Sequence, residues 1–158
     1  MERTVLVIGI GNEFGGDDAV GLAVARQLKQ IVPRQVTVLE HNGDGAALME
    51  LWKGADVVIL IDAASSGARP GAAHRFDATA APLPAKMFRH SSHAFGVPEA
   101  IEMSRALDQL PSRLIVLAIE GLNFAAGAAL TPEVERSIAS AIERVLQEVK
   151  GMIEPSVH

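Results

Sequence analysis

Three stretches of this sequence set side chains capable of acid–base or metal chemistry beside residues that turn the chain. Asp17-Asp18 follows Gly9-Ile-Gly11-Asn12, Asp62 follows the apolar run Val57-Val-Ile-Leu-Ile61, and His90 and His93 share Arg89-His-Ser-Ser-His-Ala-Phe-Gly. Two carboxylates and an imidazole from three separate loops make a hard-to-borderline donor set. Such a set suits nickel, zinc, cadmium or manganese and leaves positions open for a substrate. The chain has no cysteine, which removes any thiolate ligand, any Cys nucleophile and any disulfide framework. Asp62 is the most telling of the acids. A carboxylate directly behind five large apolar residues has to leave the buried strand at the rim where α/β proteins bind ligands, although capping the Ala-Ala-Ser-Ser-Gly turn is the ordinary alternative. Asp17 and Asp18 open a predicted helix, where one acid can cap the free N–H groups while the other projects across the strand ends, in either order. Residue type alone does not choose between His90 and His93. His41 and His74 read as surface or packing residues, and His158 belongs to the tail.

Other chemistries fit less well. The third glycine of a dinucleotide fingerprint would fall at position 14, where Phe stands, and the acids at 13, 17 and 18 would repel a phosphate. Ser65 or Ser66 with His93 and Asp62 would be the members of a nucleophilic triad, but no G-x-S-x-G elbow is present. A net charge of −5 without clustered Lys or Arg argues against nucleic acid or an anionic membrane as a partner. No segment approaches the roughly twenty apolar residues of a membrane span, and the N-terminal apolar stretch is too short for a signal sequence, so a cytoplasmic location is expected.

The elements that must position these groups follow from hydrophobic period. Residues 5–8 and 57–61 are continuous apolar runs, expected as buried parallel strands, with further strands at 36–39 and 114–119. Helical spacing is predicted from 17 or 18 to 31, from about 46 to 52 with Asp44 as a possible cap, and from about 97 to 107. Thr131 as N-cap with Pro132 at the first helical position opens a last helix that runs to about 150. Residues 65–93, rich in Gly, Ala, Pro and Ser, read as a long loop with one short strand near 73–76. This alternation predicts a three-layer α/β fold, a mostly parallel twisted sheet flanked by helices on both faces. With 158 residues and 49% hydrophobic content, one domain over residues 1–153 is expected, followed by a flexible tail at 154–158.

Gly9-Ile-Gly11-Asn12 with Asp17-Asp18 and Gly21, the strand ending in Asp62-Ala63, and Ser92-His93 with Gly96 together resemble the hydrogenase maturation endopeptidases. Order and spacing agree over nearly the whole chain, and the Asn42 to Gly45 loop also has a counterpart there. The resemblance implies a sheet flanked by helices and transfers the family's metal-contacting residues to Asp18, Asp62 and His93. Its Ser91-Ser92-His93-Ala-Phe-Gly96 stretch favours His93 over His90. The family's first ligand is often glutamate, so Asp18 reaches one methylene less far. The implied activity is removal of a C-terminal extension from the precursor of a nickel-iron hydrogenase large subunit. Nickel would be supplied by the substrate, zinc or cadmium would be able to replace it in vitro, and the enzyme would be a monomer that meets its partner transiently. A nickel-binding maturation chaperone without peptidase activity is the alternative that the same ligands would serve.

Overall fold

The computed structural model describes residues 4–153, so the tail expected at 154–158 lies outside the described residues. Strands β1 (Val5–Ile10), β2 (Val36–His41), β3 (Val57–Ala64), β4 (Ala73–Asp77) and β5 (Arg113–Glu120) form one sheet in the order β2-β1-β3-β5-β4. All neighbours are parallel except β4, which runs antiparallel along β5. Helices α1 (Val20–Leu28) and α4 (Pro132–Ile153) cover one face, while α2 (Gly45–Trp52) and α3 (Val97–Ala106) cover the other. This is the three-layer arrangement expected from the alternation of periods.

The continuous apolar runs have a direct cause. Every residue of β1 and β3 is buried, because odd-numbered side chains meet α1 and α4 and even-numbered ones meet α2 and α3. With a helix layer on each side, no strand face needs to be polar. Each fully buried Leu or Ile contributes roughly 1.5–3 kcal/mol from apolar area removed from water.

Two boundaries differ from the sequence reading, and each difference bears on the site. The first helix begins at Val20, and Asp17 and Asp18 sit in a separate 3-10 turn, Gly16–Ala19. β3 continues past Ile61 through Asp62 to Ala64, because β5 pairs with it that far, Asp62 opposite Ala118. α4 begins at Pro132 as expected, with the Thr131 carbonyl accepting from the Glu135 N–H at 2.9 Å, while the Thr131 hydroxyl donates to Asp17 (3.0 Å to Oδ2). Asp44 does cap α2, accepting from the Ala47 N–H at 3.1 Å. Among the described residues, no helix is long and apolar enough to cross a membrane.

Candidate functional site

After β1 the chain crosses to β2 on one side, and after β2 it returns to β3 on the other. The carboxyl ends of β1 and β3 therefore border the crevice where strand order reverses, the usual ligand position in open parallel sheets. A close approach of backbones narrows that crevice. A side chain at Gly21 would stand 2.3 Å from the carbonyl oxygens of both Ile10 and Ile61, and one at Gly9 would stand 2.3 Å from Gly21 O. With glycine at both positions, α1 starts directly against the strand ends, and Asp18, two residues upstream, is delivered beside Asp62.

The two adjacent acids divide their work. Asp17 is completely buried and accepts from the N–H groups of Leu122 (2.8 Å), Asn123 (2.9 Å) and Thr131 (2.7 Å), which fastens the loop after β5 and the start of α4 to the 3-10 turn. Its role is structural. Asp18 faces the crevice, where Oδ2 accepts from the Asn12 N–H at 3.1 Å and Oδ1 lies 3.3 Å from His90 Nε2. Asp62 is 4% exposed, and Oδ1 accepts from its neighbour's N–H, Ala63, at 2.8 Å. Burial pushes the Asp62 carboxyl up to about 7; the Asp18 charge pushes the same way, and His90 with the Ala63 N–H opposes.

Of the two histidines, His90 is the one placed with the carboxylates. Ligand atoms of Asp18, Asp62 and His90 all lie within 4.8 Å of one another. The His90 ring stacks on Phe124, centroids 4.7 Å apart and 23° from parallel, and its side chain is 5% exposed. Neither ring nitrogen has a hydrogen-bond partner of acceptable geometry. Burial lowers the basicity of His90, but the neighbouring Asp18 and Asp62 outweigh it and leave the pKa raised. His93, the imidazole that the family pattern favours, lines the same cavity of about 230 Å³ with Asp18 and Asp62. Its Nε2 donates to the Asn42 carbonyl at 3.0 Å. The geometric triad is thus Asp18, Asp62 and His90, with His93 in the lining of the same cavity. Donors around an ion with bonds of about 2.1 Å sit roughly 3.4 Å apart, so small side-chain rotations would close the three groups onto a divalent cation. The set fits such an ion.

Two contributors were not legible as site residues. Phe124, in the loop after β5, orients His90. Glu120, at the carboxyl end of β5, is fully buried and accepts from the Ser66 hydroxyl and from the N–H groups of Ser66 (2.8 Å) and Ala68 (3.2 Å), and so anchors the loop after β3. His74 Nε2 lies 3.5 Å from it, which makes His74 a partner of Glu120 and not of the crevice. The rule that singled out Asp62, an acid directly after an apolar strand, applies equally to Glu120.

Fold and site together define an α/β protein with a carboxylate–imidazole centre at the switch point of a parallel sheet. Residues 22–148 match the sequence pattern of the hydrogenase maturation protease family, and the chain belongs to that family. It is 28% identical over 151 residues to the hydrogenase 2 maturation protease of Escherichia coli, covering 92% of this chain and 90% of that protein. Against the hydrogenase expression/formation protein HupD of Thiocapsa roseopersicina it is 26% identical over 146 residues, covering 90% of this chain and 66% of HupD. The solved structure of the hydrogenase maturating endopeptidase HybD from E. coli superposes with a TM-score of 0.81 at 27% identity, over 94% of this chain and 93% of HybD.

Proposed function

We propose that this protein is an endopeptidase that removes a C-terminal extension from the nickel-loaded precursor of a nickel-iron hydrogenase large subunit, and that it recognises the nickel carried by that substrate. The observation that carries this reading is a single cavity lined by Asp18, Asp62 and His93 together. Oxygen and imidazole donors of this kind complete the coordination of a nickel ion presented from outside, without thiolates that would extract it.

In this reading Asp18 and Asp62 are ligands to the substrate's nickel, and His93 leaves the Asn42 carbonyl to become the third. Nickel so held fixes the scissile peptide in the cavity and supplies a Lewis acid beside its carbonyl. The chain's own contribution is positional and protonic. The Asp62 carboxylate oxygen not engaged by nickel takes a proton from the attacking water and returns one to the departing amine, so that one peptide bond is exchanged for a carboxylate and an amine. Ser91 Oγ accepts from the His93 N–H at 3.2 Å and holds the backbone of the imidazole in place.

The test is a cleavage assay on a purified large-subunit precursor with and without installed nickel, read by mass spectrometry of the C-terminus. Loss of a C-terminal peptide only from the nickel-loaded precursor, abolished by Asp62→Asn and by His93→Ala, is the expected result. Nickel binding without cleavage of any partner precursor would replace this reading with that of a maturation chaperone.

A further inference from the structure

Phe14 is an aromatic side chain that the fold holds out to solvent. It is 71% exposed, yet its backbone is fixed on both sides: the N–H donates to Asn12 Oδ1 at 3.0 Å, and the carbonyl accepts from the Gly127 N–H at 2.8 Å. A single exposed apolar residue is ordinary; what distinguishes Phe14 is where it stands. It lines an open concavity of about 490 Å³ that shares three wall residues, Gly11, Asn42 and His93, with the cavity of Asp18 and Asp62. The two make a continuous trough across the carboxyl ends of the strands, with the contact between His93 and the Asn42 carbonyl at their junction. Charge in the outer half of the trough is already matched. Glu13 lies 3.5 Å from Arg26, and Glu40 is paired with Arg26 at 2.9 Å and with Lys29 at 2.6 Å. His41 accepts at Nδ1 from the Gly43 N–H at 2.9 Å, and burial disfavours its charged form. A charged ligand group finds no unmatched partner in that set, whereas an apolar one meets Phe14.

We infer that Phe14 is a specificity-determining residue: in the outer half of this trough it receives an apolar side chain of the extended precursor segment that flanks the scissile bond. The inference rests on the cleavage reaction proposed above, since a peptidase has to hold the chain beside the bond it cuts. Main-chain hydrogen bonds hold an extended peptide, and pockets along it select side chains. Phe14 supplies the selecting surface. The Asn42 carbonyl supplies a main-chain acceptor, which becomes free when His93 leaves it for the substrate's nickel. Phe14 touches no reacting atom, so its contribution is the same before and during the chemical step and belongs to binding.

The experiment presents a nickel-loaded large-subunit precursor to the wild type and three variants, reading KM and kcat from release of the C-terminal peptide, or Kd by biolayer interferometry if no peptide is released. Phe14→Ser should raise KM about tenfold, the scale of an aromatic ring's partial withdrawal from water, with kcat within about twofold of the wild type. Phe14→Leu keeps an apolar side chain and should stay within about threefold. Ile31→Ser removes a side chain that is also exposed, at 55%, but lines neither half of the trough, and should change nothing. An unchanged KM for Phe14→Ser, a loss confined to kcat, or an equal loss for Ile31→Ser would overturn the inference and leave the cleavage reaction standing. Binding without cleavage, weakened about tenfold by Phe14→Ser, would sustain the role of Phe14 and overturn the reaction. No binding of the precursor by the wild type would overturn both.

Discussion

Asp62→Asn should make this protein more stable while destroying its activity, and the gain should depend on pH in a defined direction. The Asp62 carboxyl titrates near 3.8 when exposed and is raised to about 7 by burial in the folded chain. Between those values the folded state holds a proton that the unfolded state has lost. Stability therefore falls as pH rises through that window, and it levels off above the folded value. Three pKa units at about 1.4 kcal/mol each amount to about 4 kcal/mol of cost carried by the ionised wild type. Asparagine is a neutral isostere that can still accept from the Ala63 N–H, so it escapes that cost. Urea unfolding of both proteins with chelator present, followed from about pH 4 to about pH 8, should show curves that coincide at the acid end and separate by about 4 kcal/mol at the alkaline end. The variant should be the more stable. A gap that is constant across the range, or one that favours the wild type at the alkaline end, would refute the placement of Asp62 as a buried, unpaired carboxyl. A stable and inactive variant would be an instance of function held at the expense of stability.

Asp17→Ala should be far more damaging than Asp18→Ala in thermal unfolding. It leaves three partly buried N–H groups without their acceptor, a loss of about 1–3 kcal/mol, whereas Asp18→Ala should act mainly on metal binding and cleavage. Gly21→Ala would drive a methyl to 2.3 Å from two strand carbonyls; expression of soluble protein should fall sharply or the unfolding free energy should drop by several kcal/mol, and a variant of normal stability would contradict the close packing of α1 on the strand ends. Ser104→Ala removes the acceptor of the buried Trp52 Nε1–H at 3.1 Å, and chemical unfolding should record a cost of about 1–3 kcal/mol with no change in metal affinity.

The sheet was legible because burial on both faces leaves an unmistakable mark: Val5 to Ile8 and Val57 to Ile61 carry no polar residue at all. Asp62 was legible for the complementary reason, since an acid directly behind such a run marks the carboxyl end of the strand, although β3 continues two residues past it with Asp62 still buried. The family pattern favours His93, and no residue type in the loop foretold that His90 would stand beside the carboxylates. Both sit in a loop without hydrophobic period, and their directions are decided by long-range contacts, one ring by Phe124 and the other by the Asn42 carbonyl. Thr131 was legible as the residue that opens α4, but its contacts to the buried Asp17 carboxylate, 114 residues away in the chain, left no local mark. The antiparallel direction of β4 was likewise not readable, because its half-buried pattern specifies an edge without saying which way it runs.

That long reach of Asp17 sets a timetable for the newborn chain. The turn that carries Asp18 is tied down by the N–H of Thr131, a closure across 114 residues. At synthesis rates of about 5–20 residues per second, that partner follows Asp17 out of the ribosome by roughly 6–20 s. Through that interval the turn lacks its most distant anchor, and only its local bonds to Asn12 and Gly15 hold Asp18. Assembly of the centre is therefore one of the last events of folding, and a chain truncated before residue 131 should retain the sequence of the site without its geometry.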